Sequence, residues 1–140
     1  MLRINTEIIL DNGIVINWLL LNLVSIRKSE LELTFDTFTS KDLLEKSVER
    51  KIKIKENLEL AAKFKDMVDN KTSTDKDELN ELQNKINKLS DEVDNLPDYN
   101  EVVISNFSVT IPYSHKEKIT KDFIIEQLKK YNYFNIISYE

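Results

Sequence analysis

The hydrophobic positions of this chain change their period twice. Over the first 40 residues they recur every second position or in short continuous runs. Glu7-Ile8-Ile9-Leu10 and Ile14-Val15-Ile16 flank Asp11-Asn12-Gly13, which holds the one glycine of the chain. Asn-Gly supplies the positive φ angles of a tight type I′ turn, so a β-hairpin is expected here. Leu19 to Ile26 prolongs the second strand as a nearly unbroken apolar run, the pattern of a strand buried on both faces. After a turn at Arg27-Lys28-Ser29, the stretch Glu30-Leu31-Glu32-Leu33-Thr34-Phe35-Asp36 alternates strictly, placing Leu31, Leu33 and Phe35 on a core face. Three antiparallel strands in a meander follow.

Ser40 or Thr39 can cap a short helix over Lys41–Ser47. Arg50-Lys51-Ile52-Lys53-Ile54-Lys55 alternates again and predicts a strand with Ile52 and Ile54 inward. Its outward lysines, Lys51, Lys53 and Lys55, suit either a strand that tracks phosphates or a sheet edge protected from aggregation. An acidic protein with no aromatic residues between these lysines favours the edge.

The period then becomes helical. Leu58, Leu60, Ala61, Ala62, Phe64, Met67 and Val68 form an apolar stripe over 57–69. Asn70 to Asp75 has no apolar side chain and reads as a break, with Thr74 or Asp75 capping the next helix. That next helix carries the clearest pattern in the chain. Leu79, Leu82, Ile86, Leu89, Val93 and Leu96 are spaced 3, 4, 3, 4, 3, as a and d positions of a heptad repeat. The positions between them are polar, and the flanking Gln83, Lys85, Ser90 and Glu92 encode no strong pairing preference. A stripe this narrow needs a partner helix. An antiparallel hairpin of 57–69 against 76–96 is the preferred arrangement; a single long helix is formally open, at the cost of Lys65, Thr72 and Asp75 in core positions. The six heptad residues are the expected partner interface, either toward another copy or toward the sheet of the same chain.

Pro97 ends the helix, and Glu101 to Ile111 reads as a strand closed by Pro112. Thr120 caps a helix through Tyr131, with Asp122 at its start, Lys129 and Lys130 at its end, and Asn132 suited to a left-handed exit. Ile119, Phe123, Ile124, Leu128 and Tyr131 would be its buried stripe. Tyr133–Tyr139 reads as a last strand. The expected architecture is α+β: an antiparallel β-meander body, completed by a C-terminal strand–helix–strand that would add to the sheet, with a helical hairpin inserted and projecting. The corresponding segments are 1–56, 57–97 and 98–140.

Composition narrows the chemistry. The chain has no cysteine, one histidine and a net charge of −5, with the charge concentrated as −6 over residues 69–101. Disulfides, thiolate zinc sites and cysteine nucleophiles are excluded, and an acidic balance argues against general nucleic-acid or anionic-membrane binding. Glu7 and Asp11 would interrupt a signal-peptide core, and the 13-residue run Ile14 to Ile26 is too short for a membrane-spanning helix. His115 lies in a polar connection with no ligand set around it. Ser114 and Glu117 fit a capping box better than a nucleophile and its base. Asp75-Lys76-Asp77-Glu78 lacks the glycine and the twelfth-position acid of an EF-hand loop. No catalytic residue, cofactor or metal is expected.

Ile4-Asn5-Thr6-Glu7-Ile8-Ile9-Leu10-Asp11-Asn12-Gly13-Ile14-Val15, followed by Leu33-Thr34-Phe35-Asp36-Thr37-Phe38-Thr39-Ser40-Lys41-Asp42, resembles small virion proteins of tailed bacteriophages. Phe123 to Tyr131 resembles their closing helix, and the helical segment 57–96 departs from them. The resemblance implies a non-catalytic structural component of a tail, baseplate or neck. Such a protein would assemble in the host cytoplasm into the virion, with itself and other virion proteins as partners, without specific nucleic acid or membrane insertion. The alternative is a small phage-encoded inhibitor that meets a host defence or regulatory protein through its acidic surface.

Overall fold

The structure, a computed structural model, describes residues 1–70 and 76–140. The expected break and helix caps at 71–75 lie outside the described residues. The fold is α+β and divides into two compact units. Met1–Leu44 with Tyr99–Glu140 forms a sheet unit, and Glu45–Asp98 forms a helical unit.

The sheet unit is built on β1 (Arg3–Ile9), β2 (Val15–Ile26), β3 (Glu30–Phe38), β4 (Asn106–Pro112) and β5 (Ile136–Tyr139), in spatial order β4-β3-β2-β1-β5. Every neighbouring pair is antiparallel. The N-terminal meander is as expected, and the C-terminal strands join its two edges. The first turn differs from expectation. Gly13 takes φ +85, but Asn12 does not share a positive φ. Leu10 N–H bonds the Ile14 carbonyl, Gly13 N–H bonds Leu10, and the Asn12 side chain accepts from Ile14 N–H. This is a three-residue loop, a type I turn closed by a left-handed glycine, and it needs one positive φ instead of two.

Leu31, Leu33 and Phe35 are fully buried, as their alternation requires. Their face also carries Ile4 and Leu19 of the neighbouring strands and Val109 and Ile111 of β4, packed with Ile124, Ile125 and Leu128 of the helix Lys121–Tyr131. Thr120 caps that helix by accepting from Phe123 N–H at 3.1 Å, and Asn132 leaves it at φ 51. Ile125 is buried, whereas Ile119 and Tyr131, expected in its stripe, are largely exposed. The second strand is buried on both faces only at Leu19 and Leu20; Leu23 and Ile26, beyond a bulge, are exposed.

The helical unit overturns one expectation. Residues 50–55 are not a strand. Ser40 caps a helix through Leu43 N–H, and that helix, α1 (Lys41–Asp69), runs on for 29 residues. No glycine or proline interrupts the segment, and Lys, Glu, Leu and Ala are strong helix formers. At 100° per residue, Ile52 and Ile54 point to nearly opposite sides of the helix; Ile52 is exposed and Ile54 half-buried. The second helix, α2 (Lys76–Asp94), ends before Leu96-Pro97. The expected strand from Glu101 begins only at Asn106, because Tyr99–Val102 forms one helical turn, α3, that buries Val102. The helix Lys121–Tyr131 is then α4.

Candidate interaction surface

The heptad residues find their first partner inside the chain. Lys53 of α1 bonds Glu92 of α2 at 2.7 Å, and Asn57 bonds Ser90 at 3.0 Å. Nearer the other end, Lys63 and Met67 share a cleft with Glu78, Glu81, Leu82 and Lys85. As α1 ascends, α2 descends: the two helices form the expected antiparallel hairpin. Asn57, Leu60, Phe64 and Met67 repeat with heptad spacing, so α1 offers a stripe of its own to α2.

The two stripes do not finish the burial. Leu82 and Met67 are 7% exposed, but Leu79, Ile86, Leu89, Val93 and Leu96 are all half-buried, as are Leu60 and Phe64. Leu96 lies just beyond the end of α2, held by its N–H to the Val93 carbonyl. Two helices can shield only one side of a seam, and the other side stays open to whatever lies above it.

Polar groups fix the register of the hairpin. Lys53 also approaches Glu49 one turn earlier, and Arg50 pairs with Asp98 at 2.9 Å. The hydrogen bond between Lys53 and Glu92 is the main reason that the lysine is held above its ordinary pKa and the glutamate below its own. Asn57 Oδ1 and Arg50 Nε are buried without a hydrogen-bond partner among the described residues, a cost that an apolar seam would not carry. Of the flanking positions, Ser90 and Glu92 reach across to α1, while Gln83 bonds Asn87 on its own helix.

A polar cluster in the sheet unit escaped the sequence reading. Asp36 alternates with the core residues Leu33 and Phe35, yet it is fully buried, as are Leu20, Phe38, Leu44 and Val102. The Tyr99 hydroxyl lies 2.9 Å from both Asp36 and Asn106, and Asn22 donates to Asp36 at 3.4 Å. Both neighbours present acceptor oxygens, so the single Tyr99 hydroxyl proton is shared between the Asp36 carboxylate and the Asn106 side-chain oxygen. Desolvation first, and then this carboxylate, raise the Tyr99 pKa. The cluster ties α3 to β3 and β4. Its signal in the sequence was one carboxylate in a strand whose second face also carries the apolar Phe38, paired with a neighbouring strand that sets Leu20 opposite Asp36.

Among the described residues no group of three or more His, Cys, Asp or Glu side chains could hold a metal ion. None of the described helices is long and apolar enough to cross a membrane. His115 is exposed and meets the Tyr113 ring edge-on at 5.5 Å, while Ser114 N–H bonds the Glu117 carboxylate at 3.3 Å. No protein-family model matches the sequence, and no curated protein or solved structure is significantly similar to it.

Proposed function

We propose that this protein is a non-catalytic assembly component whose helical hairpin docks on a second copy of the chain. The observation that carries this reading is the seam: with α1 already in place, five of the six heptad residues, four in α2 and Leu96 just beyond it, remain half-buried. Charge supports a second copy as the occupant. The base of α1, Lys46–Lys55, holds five basic residues against one acid, whereas α2 begins with Asp77, Glu78 and Glu81 near the hairpin tip. Two hairpins laid tip to base about a two-fold axis bring these opposite charges together. The same stripes then meet themselves, as an isologous interface requires. Four helices around one core would cover what two leave open.

The resemblance of residues 4–15 and 33–42 to small virion proteins extends the reading to a tail, baseplate or neck, where neighbouring virion proteins would bind as well. The test is a Leu82→Asp/Leu89→Asp variant, with mass from light scattering and sheet content from circular dichroism. The expected result is a monomer that keeps its β structure; a variant of unchanged multimeric mass would exclude the seam as the interface. A second reading, an inhibitor of a basic host protein, draws on the six acids of α2 against three lysines. It predicts a monomer that captures a basic partner from host lysate.

A further inference from the structure

Helix α4 covers only part of the sheet face on which it packs. Its 11 residues extend about 16 Å, while the nine residues of β3 extend about 30 Å. The apolar face continues past the covered part to the end formed by the β1–β2 loop, the start of β4 and the α4–β5 connection. There Ile8, Leu10, Ile16, Phe107, Tyr133 and Phe134, with Thr37 and Ser105, line a pocket of about 280 Å³. Four separate chain segments converge on it, so it is a concave pocket, open on one side, and not a bare stretch of sheet.

The walls are fixed before anything binds. Phe107 stacks on the buried Phe35 at 5.6 Å, and Phe134 meets both rings edge-on at 6.0 and 5.8 Å. Among the described residues no charged side chain lines the pocket. Two of its three hydroxyls are committed: Tyr133 donates to the Thr110 carbonyl, and Thr37 donates to the Ser105 carbonyl at 2.8 Å while accepting from Ser105 N–H at 3.0 Å. With the Thr37 proton on that carbonyl, the exposed Ser105 hydroxyl, 3.2 Å from that of Thr37, donates to Thr37 and keeps its lone pairs to accept from a ligand. A dry cavity of roughly 150 Å³ lined by Leu, Ile and Phe already holds benzene.

We propose that this pocket binds an uncharged, largely apolar small molecule of about two fused rings, with a single hydroxyl that donates to Ser105. Preformed apolar walls with one placed polar group are the usual make-up of a small-molecule site. A charged ligand would find nothing there to replace its hydration.

The probe is 2-naphthol, titrated into the full chain and followed by its fluorescence and by the shift in unfolding temperature. Naphthalene-2-sulfonate is the charged control. Saturable 1:1 binding of 2-naphthol, weakened at least about tenfold by the rim-filling Leu10→Trp and retained in Leu82→Asp/Leu89→Asp, is the expected result. Ser105→Ala should weaken 2-naphthol by about 2- to 12-fold, the range of one hydrogen bond, and leave naphthalene unchanged. Ile8→Phe, which fills the same space from β1, serves if Leu10→Trp does not fold. No saturable binding up to the solubility of the probe, binding that survives both filling variants, or equal binding of the sulfonate would overturn the proposal.

Discussion

The two units solve the burial problem differently. In the sheet unit, Ile4, Leu19, Leu20, Leu31, Leu33, Phe35, Phe38, Ile111 and Leu128 are entirely removed from water, and both faces of β2 and β3 carry such residues. Among the described residues of the helical unit only Ser47, Met67 and Leu82 are buried, and a heptad pattern of high regularity is left half-covered. Regular patterning is therefore no measure of local burial. A sheet with a helix on it closes around its own core, whereas two helices share one seam and expose its back. The strongest sequence signal belongs to the less finished part of the molecule, as expected where the pattern serves a contact beyond the hairpin.

The sharpest way to break this contrast is to cut into each unit. Phe35→Ala removes a fully buried ring that stacks on Phe107 and should cost about 3–5 kcal/mol. Leu89→Ala, in a half-buried position, should cost less than half as much at low protein concentration, where no second copy helps. Urea unfolding followed by Trp18 fluorescence reads the sheet directly, because the single tryptophan lies in β2. Equal losses at the two sites would mean that the hairpin is as self-sufficient as the sheet.

A medium effect separates the two kinds of polar burial. Tyr99→Phe removes the donor to Asp36 and should destabilise the sheet unit by about 1–3 kcal/mol, since it leaves a buried carboxylate short of a hydrogen bond. Asn57→Leu should act in the opposite sense. It removes a buried carbonyl oxygen that has no partner among the described residues, and should raise hairpin stability by about 1 kcal/mol while weakening its register. Helical ellipticity against temperature checks the second, and a stabilised Tyr99→Phe would refute the first.

The smallest effect is electrostatic. Lowered in the folded hairpin, the Glu92 carboxyl stabilises it above the ordinary glutamate range and loses that contribution as pH falls through its own pKa. Raised in the same pair, the Lys53 ammonium contributes below the ordinary lysine range and loses it as pH rises through its own pKa. Hydrogen exchange around residues 53–57 and 88–93 should therefore be slowest between the two ranges. In Glu92→Gln that dependence on acid should flatten.

Much of the fold was legible for reasons that are local. Alternation in Leu31–Phe35, the cap at Thr120 and the left-handed exit at Asn132 depend on a few neighbouring residues, and each appears where its chemistry places it. The misreadings came where two periods fit one short stretch. Lys51 to Lys55 alternates like a strand, yet its preceding cap at Ser40 and the unbroken run of helix formers decide for a helix. Val102 to Ile104 failed for the same reason. The burial of Asp36 was not legible because alternation marks one covered face and says nothing about whether the other is covered as well. For the heptad stripe, spacing disclosed a helix that needs a partner, and the polar break before it favoured a hairpin over one long helix; how much of the stripe α1 leaves open emerged only from the packed side chains.

The central claim is that the seam of the hairpin is completed by a second copy. Absolute mass in solution, by light scattering after size exclusion across a concentration series, tests it most directly. The account predicts a dimer or higher even-numbered multimer that grows with concentration and falls to 16.5 kDa in Leu82→Asp/Leu89→Asp. A wild-type chain that stays at 16.5 kDa at every concentration would contradict it.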